Sequence, residues 1–290
     1  MILNEKVFLN NALVDSSDAQ ISIHDSGLLH GVGLFETLRA YDGRVFGLHD
    51  HLDRLFTSAE ALKIPVTQSR EEIVAGLQEV LRANGLTDAR LRLTVTPGNM
   101  LNFDEDKGPE STLIITTSKL QPYPAEYYEK GMTVIISKYK QNPEDATCGH
   151  KTLNYLPRLL ALQQAQAAQA GEALFFTTNN HLAEGCISNV FLVSKQTLIT
   201  PPLETPVLAG VTRSKVIELA HECDIDIEVR ECVVKDLLEA DEVILTNSIM
   251  ELMPVGRIER HPVANEKLGP TYKTLSEAYK KRTCEDEPPY

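Results

Sequence analysis

Several features are scarce in this chain of 290 residues, and each scarcity removes a class of protein. No stretch approaches the run of about 18 apolar residues that spans a bilayer, so a membrane-embedded protein is not expected. The start, MILNEKVFLN, lacks the basic-then-apolar plan of a secretory signal and reads as a strand. Cysteine is limited to Cys148, Cys186, Cys223, Cys232 and Cys284, an odd number without CxxC spacing. That pattern suits neither zinc nor a disulfide framework, and it fits a reducing cytoplasm. Positive charge is in deficit, with 28 Lys and Arg against 41 Asp and Glu, a net −13. Such a surface repels phosphate backbones and acidic membranes, so neither nucleic acid nor membrane is an expected partner. The glycine-rich signatures of dinucleotide sites and of P-loops are missing as well. There is no internal repeat and no low-complexity tract.

What remains is an ordinary globular composition, 42% hydrophobic and 24% charged. The length suggests about two domains. Ile2–Val14 reads as a hairpin around Asn10-Asn11, and the alternation of Ile21 and Ile23 suggests a third strand. His24–Gly33 is a loop or a single helical turn. LFETLRAY, Asp42-Gly43 and RVFGL form a second hairpin. Leu48, Leu52, Leu55, Ala59 and Leu62 make one stripe of a helix that ends before Pro65. A second helix covers Ser69–Asn84, opened by a capping box of Ser69 and Glu72 and stopped by Asn84-Gly85. Ala89–Thr96 and Thr112–Thr117 are strands, joined by a polar loop over Asn99–Ser111.

Gln121–Pro124, with two prolines in four residues, is the predicted linker. It divides a first domain (1–120) from a second (125–280), with a frayed tail at 281–290. The second domain should hold strands at Met132–Ile136, Ala173–Thr178, Asn189–Val193, Thr197–Thr200, Ile225–Val229 and Glu242–Thr246. Its helices are Tyr155–Ala170 and Thr212–Cys223. Hairpins mixed with helices, without a repeated βαβ unit, argue for a mixed α+β arrangement within the α/β class.

Four features fit one ligand. Lys151, in CGHKTLNYLPRLL, sits in a polar loop just before a long helix, where an amine can face a cleft and bond a carbonyl. Glu184, in LAEGCISNVFLV, can be held semi-buried against a cationic ring nitrogen. Gly210, Val211 and Thr212 open a helix, and free first-turn amides with a hydroxyl suit a phosphate. Arg54, in HDHLDRL, lies at the border of its helix's apolar stripe and can reach an anion; the alternative for it is a surface pair with Asp50. A lysine, an acid and a phosphate cup are the parts pyridoxal phosphate requires.

Taken in order, HLDRL, KTLNYLP, LAEGCISNVFLV, PVLAGVTR and ADEVILTNSIMELMPV resemble the fold type IV pyridoxal-phosphate enzymes, the class IV aminotransferases. That family holds branched-chain aminotransferases, D-amino acid aminotransferases and 4-amino-4-deoxychorismate lyases. The resemblance implies a smaller N-terminal α/β domain, a larger C-terminal domain, the cofactor between them, and a homodimer. It implies a Schiff base on Lys151, which also shuttles the proton, and Glu184 on the pyridine nitrogen. Arg54, Val211, Thr212 and Ser248 would bind the phosphate, and Tyr155 the cofactor's phenolic oxygen. On the substrate side it implies Phe35, Thr37 and Arg92, the last resembling the arginine of a Tyr-x-Arg segment, with Arg90 in place of the tyrosine. Thr96-Pro97-Gly98 stands where D-amino acid aminotransferases carry Thr-Arg-Gly, which argues against that activity. The expected function is amino transfer between a branched-chain-like amino acid and a 2-oxo acid. Thr37 resembles a lyase residue, so aminodeoxychorismate lyase is the alternative. A non-catalytic cofactor-binding protein is a third reading, which the intact set of Lys151, Glu184, Arg54 and Thr212 opposes.

Overall fold

A computed structural model describes residues 5–99, 110–263 and 266–285. The chain divides into two compact units. The first runs up to Gln121 and also takes in His150–Asn154; the second comprises Pro122–Gly149 and Tyr155–Glu285. The expected polar loop at Asn99–Ser111 lies mostly outside the described residues.

The first unit carries strands β1 (Lys6–Leu9), β2 (Ala12–Asp15), β3 (Leu34–Tyr41), β4 (Arg44–Val45), β5 (Ala89–Thr96) and β6 (Thr112–Lys119). They form one antiparallel sheet in the order β2-β1-β6-β5-β3-β4. Its helices are α1 (Ser26–His30), α2 (Leu48–Ala61) and α3 (Arg70–Ala83). Asn10 (φ 55), Asp42 (φ 48) and Gly43 (φ 78) supply the left-handed turns that the two hairpins need. On α2, Leu52, Leu55 and Ala59 are buried, and Ile73, Leu77 and Val80 of α3 join them against Leu38, Leu91, Leu93, Leu113 and Ile115 of the sheet. The helices thus cover one face, while Phe35, Thr37 and Arg39 of β3 alternate to the other. The capping box of α3 is present as expected, Ser69 bonding the Glu72 amide and Glu72 the Ser69 amide.

Ile21 and Ile23 form no strand; they are 44% and 72% exposed. Two alternating residues without a paired neighbour are too little to hold a ladder. Instead Asp25 is buried and caps α1, taking the Gly27 amide at 2.7 Å and the hydroxyls of Thr96 (2.7 Å) and Thr112 (2.8 Å).

The second unit carries β7 (Met132–Gln141), β8 (Glu172–Thr177), β9 (Leu182–Gly185), β10 (Asn189–Ser194), β11 (Thr197–Thr200), β12 (Ile227–Val229), β13 (Glu242–Asn247), β14 (Glu251–Ile258) and β15 (His261–Pro262). They build a mixed sheet ordered β12-β11-β10-β13-β14-β7-β8-β9, with β15 on β14. Its helices are α4 (Ala125–Lys130), α5 (Leu156–Ala167), α6 (Val211–Glu222), α7 (Val234–Leu238) and α8 (Pro270–Thr283). Strand β7 extends five residues past the expected end at Ile136, with a register shift against β8 between Ile136 and Lys140. Helix α5 stops short of Ala170 because Gln169 turns left-handed at φ 57. Residues 281–283, expected in a frayed tail, are helical. Tyr279 and Thr283 are buried, and Arg282 pairs with Glu222 at 2.7 Å. Residues 286–290 of that tail lie outside the described residues.

Candidate active site

In the first unit the site is built around a short segment laid beside β3. The Phe35 amide donates to the Lys151 carbonyl at 2.9 Å, the Leu153 amide to the Gly33 carbonyl at 3.0 Å, and Thr152 bridges Leu34. One residue earlier, the His150 ring nitrogen Nδ1 meets the Ser58 hydroxyl of α2 at 2.9 Å. The loop that carries the lysine is therefore pinned to β3 by an isolated bridge and two backbone bonds. Its amine lies 4.6 Å from the centroid of the Phe35 ring. Arg92 places its guanidinium carbon 3.6 Å from the same ring. Thr37 stands opposite Arg92 in the β3–β5 register, and Arg39 opposite Arg90. An amine, an arginine and a hydroxyl thus share one sheet face.

Arg54 is turned inward, with a side chain only 10% exposed. Its Nε donates to Glu36 Oε1 at 2.8 Å, and its Nη2 to Glu36 Oε2. His51 Nδ1 lies 2.8 Å from Glu36 Oε2. Glu36 and His51 are both 1% exposed. Burial pushes the Glu36 carboxyl up, but the Arg54 charge and the bonds from Arg54 and His51 outweigh it and hold it at about 2. Burial lowers His51, and its bond to Glu36 only partly offsets this. An ionised Glu36 accepts only, so neutral His51 donates from Nδ1. Sequence reasoning does not single out Glu36, although a signal is there. Alternation in LFETL puts a carboxylate among Leu34 and Leu38, where it must be paired.

In the second unit Glu184 is buried in β9. Its Oε1 accepts from Gln141 Nε2 at 3.2 Å and from Arg158 Nη2, and its Oε2 accepts from the Leu208 amide at 2.9 Å. Tyr155, the residue before α5, donates its hydroxyl to the Cys186 carbonyl at 3.2 Å, and burial pushes its phenol up to about 12. Arg158 and Gln141 also escape sequence reasoning. Arg158 stands as the lone charge among the apolar residues of LPRLL, which is the one clue it gives.

Gly210 precedes α6, whose start carries no side-chain cap, and Val211 and Thr212 of the first turn are buried. A Cβ on Gly210 would come within 1.9 Å of Asn189 Oδ1. Asn189 is opposite Thr246 in the β10–β13 register, so the two side chains share a face. The Thr246 hydroxyl is buried and has no protein partner among the described residues. Ser248 follows in the turn whose Asn247 side chain takes the amides of Ile249 and Met250 at 2.8 Å each. Uncapped amides, two buried hydroxyls and a glycine that allows close approach are the donor set a phosphate requires.

The described residues contain no group of three or more His, Cys, Asp or Glu able to hold a metal ion. Among the same residues no helix is long and apolar enough to cross a membrane.

The family model for amino-transferase class IV matches residues 33–258. A Methanocaldococcus jannaschii protein provisionally named a branched-chain-amino-acid aminotransferase is 38% identical over 95% of both chains. The Bacillus subtilis aminodeoxychorismate lyase is 32% identical over 87% of this chain and 86% of its own. Among solved structures, the T.th. branched-chain amino acid aminotransferase with pyridoxamine 5'-phosphate superposes with a TM-score of 0.90 at 26% identity, covering 98% of this chain and 95% of its own. The chain belongs to the class IV aminotransferase family. It is an enzyme with that family's two-domain α/β fold, and its cofactor is pyridoxal phosphate.

Proposed function

We propose that the enzyme moves an amino group between a branched-chain-like amino acid and a 2-oxo acid. The observation that carries this reading is the pairing of Lys151 and Arg92 on one aromatic ring, an amine beside a guanidinium suited to a carboxylate. Pyridoxal phosphate, when bound, supplies the electron sink that stabilises negative charge at the substrate's α-carbon. The protein does the rest. Lys151 is the residue that would hold the cofactor at its carbonyl carbon, and its amine would take and return the substrate's α-proton. Phe35 beneath it limits water around the amine. Glu184, held by three donors, would accept from the pyridine nitrogen. Thr212 at the start of α6 and Ser248 would hold the phosphate, a role the family resemblance also gives to Arg54, which Glu36 fixes in direction. Tyr155 holds a neutral hydroxyl for the cofactor's phenolic oxygen. Arg92 binds the substrate carboxylate.

Thr37 favours the second reading, release of pyruvate and 4-aminobenzoate from aminodeoxychorismate, because its hydroxyl faces the same side as Arg92. A product assay separates the two. Transfer from L-leucine or L-valine to 2-oxoglutarate, read as glutamate, supports the first; aminobenzoate without glutamate overturns it. Lys151→Ala is expected to abolish both turnover and the cofactor's visible absorption, and retained turnover would refute the role given to Lys151.

The same reading includes a homodimer in a reducing, cytoplasmic compartment. All five cysteines are free thiols. Ile21, Ile23, Leu28 and Leu29 are all more than 40% exposed and cluster within ten residues, an apolar surface that suits a second copy.

A further inference from the structure

Arg158 stands in the first turn of α5 with its side chain 21% exposed. Besides the pair with Glu184 Oε1, its Nη1 donates to the Gly185 carbonyl at 3.2 Å and the Cys186 carbonyl at 3.1 Å. The Cys186 carbonyl also takes the Tyr155 hydroxyl. One guanidinium therefore ties a carboxylate to the turn that follows its strand, and through a shared oxygen to a tyrosine. Burial works against the charge of Arg158, but Glu184 beside it outweighs burial and raises its pKa.

A carboxylate offers about four acceptor sites. On Glu184, Arg158 and Gln141 fill Oε1, and the Leu208 amide takes one site of Oε2. One site is left, on Oε2. We infer that Arg158 is a positioning residue for the cofactor: it turns Glu184 so that the single remaining site is on Oε2. This rests on the reading of Glu184 as the partner of the ring nitrogen. Lysine is no substitute, because one ammonium cannot supply a planar fork to a carboxylate and two carbonyls at once.

The test titrates apoprotein with pyridoxal phosphate for the wild type, Arg158→Gln, Arg158→Lys, Glu184→Gln and the Glu184→Gln/Arg158→Gln double variant. Two quantities are read: cofactor affinity, and the pH midpoint of the bound cofactor's visible band. Arg158→Gln is expected to weaken affinity about tenfold and raise the midpoint by about half a unit, since the Glu184 carboxylate is then no longer partly neutralised by the cation paired with it. Arg158→Lys should keep the midpoint closer to the wild type while still losing affinity. In the Glu184→Gln background the added Arg158→Gln change should move the midpoint no further, because the two residues act as one unit. A shift of equal size in both backgrounds, or none in either, would overturn the proposal. So would wild-type affinity in Arg158→Lys, which remains readable if Arg158→Gln does not fold. Should Glu184→Gln alone leave affinity and midpoint unchanged, the failure lies in the role given to Glu184.

Discussion

Glu36 shows how a single side chain can serve packing and chemistry together. It sits on the helix-covered face of the sheet, ionised, with Arg54 and His51 as its only described ion-pair partners. Removing it takes away the buried carboxylate that pairs with a guanidinium only 10% exposed. Glu36→Ala is therefore expected to cost about 3–5 kcal/mol of stability, the range for breaking a buried pair, and to weaken cofactor binding because Arg54 loses its orientation. Chemical denaturation and apoprotein titration would measure the two effects. The pH dependence follows from the same trio. His51 is held below its ordinary 6.5, so beneath that pH the unfolded chain binds a proton that the folded one refuses. Glu36 is held near 2 against an ordinary 4.5, so its contribution is present above 4.5 and is lost as pH falls toward 2. Stability should thus decline in two stages on acidification. His51→Asn is expected to flatten only the first stage, below about pH 6.5, in denaturant midpoints taken at a series of pH values.

Among the elements, α6 is one whose placement depends on a missing side chain. Gly210→Ala would drive a methyl into Asn189, whose amide already donates to the Leu208 carbonyl at 2.8 Å. Leu208 in turn donates its amide to Glu184. The substitution is expected to cost about 1–3 kcal/mol by overpacking and to lower pyridoxal phosphate affinity as well. Thermal unfolding of the apoprotein and cofactor titration would check it. Much of the element pattern is legible in the sequence where local chemistry is strong. The Asp42-Gly43 turn, the capping box at Ser69 and the α2 stripe all read directly. Strand β14 does not, because Pro254 argues against a ladder; its pairing with β7 begins only at Val255, and β13 lies opposite the proline. The partners of the site residues are harder still. Glu36 to Arg54 and Arg158 to Glu184 are separated by 18 and 26 positions, and no spacing rule for helices or strands links such pairs. Lys151, Glu184 and Thr212 stand out because their residue types and flanks carry the chemistry, while the groups that orient them are visible only after folding.

At the scale of the whole molecule, the exposed apolar residues around α1 set an expectation for assembly. Ile23 is 72% exposed and Leu28 59%. A surface of that kind on an enzyme of net charge −13 is expected to be covered by a second copy. Replacing Ile23 and Leu28 together with aspartate should yield a monomer by sedimentation or light scattering. A dimer that persists would put the interface elsewhere.

The stitch at His150–Asn154 has a consequence for anyone who would cut or recombine this protein. The chain leaves the first unit at Gln121, returns for five residues, and leaves again. A fragment truncated at the prolines would lack Lys151, and a protease nick there would leave Lys151 and Leu153 hydrogen-bonded to β3 and the residue before it. Chimeras between relatives must therefore inherit that pentapeptide with the sheet it edges, not with the helix it precedes.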